Sequence, residues 1–212
     1  MPVRAIVAPV SADAAAAAAL SAATRSTLRS LGFAHGHRAW FQDSSMYHST
    51  LYHASHHLDE VAASESEKAE ELAAVRGVAT ASCSLELELD RVVFTDGGVL
   101  FAAFTVENSQ RSSAEPAELR MSLREALPRS PEKQIAREPA MLHATLARLF
   151  DVPVGGADAL DAAAERMTAQ LCGLRAHVDN LWMVHEHDKL ALATSGMVTR
   201  VALPFKQCRA MA

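Results

Sequence analysis

The spacing of apolar and polar positions changes several times along this chain, and each change marks an element. Arg4 to Val10 is almost wholly apolar with Pro9 near its end, which predicts a short strand. Ser11 or Asp13 can cap a helix that carries the alanine run 14–19 and ends at about Leu31, before Gly32. Residues 33–43 read as loop. Met46 to His53 alternates and predicts a strand. His57 to about Ala79 predicts a polar-faced helix, with acids at Asp59, Glu60, Glu65, Glu67, Glu70 and Glu71. Cys83 to Thr95 alternates through Leu85, Leu87 and Leu89. Asp96-Gly97-Gly98 then turns it into a hairpin with Val99 to Val106.

The order recurs in the second half. After a loop over Glu107 to Ala114, Pro116 opens a helix that runs to about Leu127, before Pro128. Residues 128–139 form an irregular connection, and Met141 to Phe150 is a strand. Leu160, Ala163, Ala164, Met167 and Leu171 have helical spacing, so Asp158 to Cys172 is a helix stopped by Gly173. Leu174 to Glu186 and Met197 to Phe205 read as two closing strands. Each half thus reads strand, helix, strand, helix, strand. The expected fold class is α+β: a bilobal single domain over residues 1–212. Its two pseudo-symmetric halves, about 1–95 and 96–212, would set antiparallel sheets on either side of a central groove.

Composition narrows the function. Half of the 212 residues are apolar, enough for a core without staples. Cys83, Cys172 and Cys208 are odd in number, far apart and without zinc spacing, so the expectation is a reducing compartment and no disulfide. No apolar run is long enough for a bilayer, and no secretory signal pattern opens the chain. Cytoplasmic location is expected. Residues 11–38, rich in Ala, Ser and Arg with Asp13 as their one acid, also have the composition of an organellar transit segment. The net charge is −5, with acids concentrated in residues 59–90. That argues against an extended nucleic-acid surface, and for a monomer that takes a small phosphorylated ligand or a short RNA end. No phosphate-binding or dinucleotide-binding glycine loop is present.

The ten histidines are where chemistry is to be sought. Two tetrads stand out: His48-Ser49-Thr50-Leu51 and His143-Ala144-Thr145-Leu146. On a strand, side chains alternate between faces, so each tetrad presents an imidazole and a hydroxyl on one side. Two such strands facing one groove would supply two imidazoles for proton transfer and two hydroxyls for phosphoryl oxygens. In spacing and in setting this pair resembles the 2H phosphoesterase superfamily, whose motif is H-x-[ST]-apolar, repeated about a hundred residues apart. The resemblance covers most of the chain. It implies cyclic phosphate hydrolysis without a metal or cofactor, with His48 and His143 as acid and base and Thr50 and Thr145 as phosphate ligands. Ser49 departs from the family pattern, which is apolar at that position, and reads as a packing difference. A non-catalytic module that binds a nucleotide or an RNA end in the same groove is the alternative.

Other residues are candidates by position. Tyr52 shares the His48 and Thr50 face under strict alternation and would line a base or ribose pocket. Trp40, with Phe41, precedes the first tetrad and could stack on a base. Arg38 and Arg148 could neutralise a phosphate. His53, His56 and His57 read as a solvated helix start. His185 and His187, even with His35 and His37, do not complete a metal site by spacing.

Overall fold

The computed structural model describes residues 3–33, 38–106, 114–135, 140–188, 191–194, 196–206 and 208. In chain order they form β1 (Arg4–Ala8), α1 (Ala14–Ser30), β2 (Ala39–Phe41), β3 (Ser49–Ser55), α2 (Glu65–Ala81), β4 (Leu85–Phe94), β5 (Val99–Val106), α3 (Pro116–Ala126), β6 (Leu142–Leu149), α4 (Gly156–Gln170), β7 (Arg175–Val178), β8 (Asn180–Glu186), a short α5 (Ala191–Thr194) and β9 (Val198–Pro204). The α+β class with two antiparallel sheets is as expected. One sheet has the order β3-β1-β8-β9, and the other β2-β6-β5-β4-β7.

The lobes do not divide near residue 95. Each sheet draws strands from both halves of the sequence. The cause lies in residues 174–186, which read as one strand and are two. β7 pairs with β4, β8 pairs with β1, and the chain changes sheets at Asp179, whose carbonyl accepts from the Phe205 N–H at 2.9 Å.

Local chemistry explains the helix ends. Asp13 caps α1 by accepting from the Ala15 and Ala16 N–H groups at 3.1 and 3.0 Å. Ala16, Ala17, Leu20, Ala23 and Leu28 face the core from α1. The helix expected from His57 begins only at Glu65, because Ser64 and Glu67 form a capping box. Before it, the His56 ring Nδ1 accepts from the Leu58 and Asp59 N–H groups at 3.2 and 3.1 Å, which holds a turn instead of a helix. Residues 39–41, read as loop, form an edge strand on β6.

The cysteine expectation is overturned. Cys83 and Cys208 are disulfide-bonded, with their Cα atoms 5.5 Å apart, and Cys172 is free and exposed. A parallel bridge between Cys83 and Lys206 brings the C-terminal segment alongside the start of β4. With it goes the argument for a reducing compartment. Among the described residues no helix is long and apolar enough to cross a membrane.

Candidate functional site

β3 lies at the edge of one sheet and β6 within the other, and the two strands meet across the groove. The second-position serine joins them directly. The Ser49 hydroxyl, fully buried, accepts from the His143 backbone N–H at 3.0 Å. The neighbour of one imidazole thus ties down the strand that carries the other. Ser49 is a link between the lobes, not the simple packing difference read from the sequence. A second tie runs from α3. Arg120 donates to the Leu51 and Thr50 carbonyls at 3.1 and 3.3 Å and to the Met141 carbonyl at 3.1 Å. Ser49→Ala is expected to cost on the order of 1–3 kcal/mol, because the His143 N–H loses its acceptor. Urea unfolding and amide exchange at His143 check it: the exchange should accelerate selectively there.

Both tetrads end in a bulge. Val7 pairs with Thr50 and Ile6 with Tyr52, so Leu51 is an extra residue in β3. Phe101 pairs with Thr145 and Leu100 with Ala147, so Leu146 is the extra residue in β6. A bulge shifts the alternation that follows it. In β3 it brings His53 to the face of Thr50, and in β6 it brings Arg148 to the face of Thr145. The two bulge carbonyls find donors from outside their own ladders, Leu51 from Arg120 and Leu146 from the Gln42 N–H at 3.0 Å.

The consequence is one cavity of about 230 Å³ lined by His48, Thr50 and His53 from one lobe and by His143, Thr145 and Arg148 from the other. Gln42, Glu186 and Leu192 close one side, and His57 and Ile135 border it. The four tetrad residues picked from the sequence are therefore brought together. Tyr52 is not with them. The bulge turns it into the core, where it is 3% exposed and its hydroxyl meets Ser130 Oγ at 2.7 Å. His53 stands where Tyr52 was expected. Trp40 does not line the cavity; it pairs with Arg148 along β2. Arg38 is committed elsewhere, to Asp151 at 2.7 Å and over the Phe33 ring.

His48 Nδ1 lies 2.7 Å from the Met46 carbonyl, so Nδ1 is the donor and Nε2 is left for the cavity. Loss of hydration holds the His48 pKa below the ordinary histidine value. The Met46 carbonyl opposes this, and the neighbouring His143 adds to it. His143 packs against the Phe101 ring, with centroids 5.3 Å apart. Its pKa is also lowered, first by desolvation and then by the Arg120 charge. His53 is pushed down to about 4, mainly by burial and then by His56 and His57. It is neutral at pH 7. Among the described residues Arg148 makes no ion pair. The sequence offered a signal for these last two residues, since each lies five positions after its tetrad histidine.

The remaining histidines do not converge on a metal. The His187 ring meets Thr199 Oγ1 at 2.7 Å, and no group of three potential metal ligands occurs among the described residues. His35 and His37 lie outside the described residues.

Three solved structures superpose on nearly the whole chain. TT0787 of Thermus thermophilus matches with a TM-score of 0.60 at 17% identity, over 96% of this chain and 98% of that one. A conserved protein of unknown function from Agrobacterium tumefaciens, ATU0111, gives 0.59 at 10% identity, over 95% and 85%. Usb1 of Kluyveromyces marxianus gives 0.51 at 13% identity, over 96% and 98%. The chain shares its fold with these three proteins. Identities this low carry the fold alone. No protein-family model and no curated protein matches the sequence. In this fold, the function must be argued from the cavity itself.

Proposed function

We propose that this chain is a metal-independent phosphoesterase of the 2H type that opens a cyclic phosphate, on a 2′,3′-cyclic nucleotide or an RNA end. The observation that carries the reading is that both His-x-Thr pairs, one from each sheet, line a single cavity. His143 takes a proton from the attacking water as the new oxygen–phosphorus bond forms. The ring bond between phosphorus and the leaving oxygen breaks, and His48 Nε2 gives that oxygen its proton. The Thr50 and Thr145 hydroxyls donate to the two non-bridging oxygens, and Arg148 offsets their charge.

The contacts support this division of roles. The Met46 carbonyl stabilises a protonated His48, which suits the acid. Arg120 disfavours protonation of His143, which suits the base. The active species has one imidazole charged and one neutral, so it peaks between the two pKa values. Both are lowered from about 6.5. The kcat/KM profile should therefore be bell-shaped with its maximum on the acid side of about 6.5. It should fall as pH rises through 7, where the acid has lost its proton. A maximum above neutrality would contradict a site built on two imidazoles that are both lowered. The activity itself is tested with a panel of 2′,3′-cyclic mononucleotides in excess EDTA. Turnover is expected to be undiminished by the chelator. Binding without turnover across the panel would make the chain a binding module instead.

A further inference from the structure

A second groove, away from the cavity, runs between α4 and β4. Its two stretches hold about 510 and 610 Å³ and meet at Phe94 and Asp161, which line both. On one side Leu160, Asp161, Ala164, Glu165 and Thr168 recur at helical spacing, so they form one stripe along α4. On the other side stand β4 from Asp90 to Phe94 and the turn that follows it. The ladder between β7 and β4 stops at Glu88, and past it no described strand covers the outer edge of β4. Thr168 ties the two sides together. Its hydroxyl accepts from the Val92 N–H at 2.9 Å and donates to the Ala164 carbonyl at 2.9 Å.

The floor of this groove is apolar and its rim is acidic. Phe94, Leu149 and Leu160 line it, and Phe150 and Val152 stand beside them 67% and 66% exposed. Large apolar side chains left in water along an open groove mark a surface that something covers. Asp90, Asp96, Asp151, Asp161 and Glu165 line the same groove, against Arg91 as the one lining cation among the described residues. Arg91 is committed to Asp90 at 2.6 Å, and Asp151 to Arg38 at 2.7 Å. Among the described residues no cation pairs with Asp96, Asp161 or Glu165. Asp161 and Glu165 are one helical turn apart, where two like charges destabilise the helix that carries them. A cation brought from outside relieves that repulsion. An anionic chain, nucleic acid included, is repelled.

We propose that the α4–β4 groove docks a short basic segment of a partner protein, one that carries Lys or Arg between bulky apolar side chains. The apolar side chains enter over Phe94 and Leu160, beside Phe150, and the cations lie along Asp161 and Glu165. The lining stripe runs from Ala157 to Thr168. That is about 16 Å of helix at 1.5 Å per residue, the span of about five residues of extended chain. No residue lines both this groove and the histidine cavity, although Arg148 and Leu149 are neighbours on β6. The groove is therefore a surface for recruitment, and the inference stands apart from the chemistry proposed for the cavity.

Three short fluorescent peptides probe the groove in anisotropy titrations: one alternating Lys and Leu, one alternating Glu and Leu, and one alternating Lys and Ser. The Lys and Leu peptide should bind, with an affinity that falls as salt rises. The Glu and Leu peptide should not bind, and the Lys and Ser peptide should bind at least roughly 10-fold more weakly, for want of apolar side chains to bury. Asp161→Lys combined with Glu165→Lys should weaken the Lys and Leu peptide by roughly 100-fold or more. Glu118→Lys combined with Glu125→Lys, at exposed positions of α3, changes the net charge equally and should leave binding in place. Equal loss in the two variants, or equal binding of the Lys and Ser peptide, would mean general attraction to an acidic protein and overturns the proposal. Absence of binding by the Lys and Leu peptide overturns it as well. Amide shifts on binding should centre on residues 90–98 and on α4, and shifts centred on the acids of α2 would count against the groove. Sedimentation separates the other occupant: a dimer that Asp161→Lys with Glu165→Lys disperses would put a second copy of this chain in the groove, in place of a basic partner.

Discussion

Replacing either His48 or His143 by alanine should lower kcat on 2′,3′-cyclic nucleotides by about 10³-fold or more, and the double variant should be scarcely worse than either single one. Proton removal from water and proton delivery to the leaving oxygen belong to one displacement. Once one partner is gone, the other has little left to assist. In the proposed mechanism, residual rate should come from the two threonine hydroxyls and Arg148, which line the same cavity and would still offset the charge of the phosphoryl group. Steady-state rates for the two single variants and the double one decide the matter. Multiplicative losses would mean that the imidazoles act independently. An unchanged rate in both single variants would remove the mechanism. Melting temperatures belong beside the rates, because His48 also bonds the Met46 carbonyl and its loss has a structural part.

Where the chain's own pattern decides structure, the reading from sequence agrees with the fold. The Asp96-Gly97-Gly98 hairpin and the helix opened by Pro116 both stand. So do β6 and the placing of the four tetrad residues on one cavity. The failures have a common origin in partners that a single strand does not reveal. Strict alternation put Tyr52 beside Thr50. It fails because Leu51 is an extra residue opposite β1, and an extra residue is defined only by the strand it is paired with. The same holds at Leu146, and with it for Arg148. Residues 174–186 keep an apolar pattern straight through Asp179, so nothing in the pattern shows the change of sheet. Cys83 and Cys208 are 125 residues apart, and their bond depends on the C-terminal segment returning to β4.

The largest effect on stability is expected at Arg4. This side chain is 2% exposed and lies in β1, the strand that supplies Ala5 and Val7 to the groove wall. Its Nε and Nη2 donate to the two carboxylate oxygens of Glu71 at 2.7 and 3.0 Å, and Nη1 donates to the Val61 carbonyl at 2.9 Å. Glu71, on α2, is 6% exposed. A buried pair of this kind contributes little over an apolar substitute, but half of it is worse than none. Arg4→Met would leave the Glu71 carboxylate desolvated, with Arg129 no nearer than 3.9 Å. The expected loss is about 3–5 kcal/mol, a large part of the roughly 5–15 kcal/mol that holds a domain of this kind together. Urea unfolding measures it. Arg4→Met combined with Glu71→Leu removes both charges and should recover most of the loss. If the double variant is as unstable as Arg4→Met alone, the cost comes from packing or from the Val61 contact and not from a stranded charge. The partial recovery would also bear on the cavity. Val61 follows the turn that His56 organises, and His53 and His57 border the site on that same side. Activity that returns with stability would show that the ion pair holds up the wall without taking part in the chemistry.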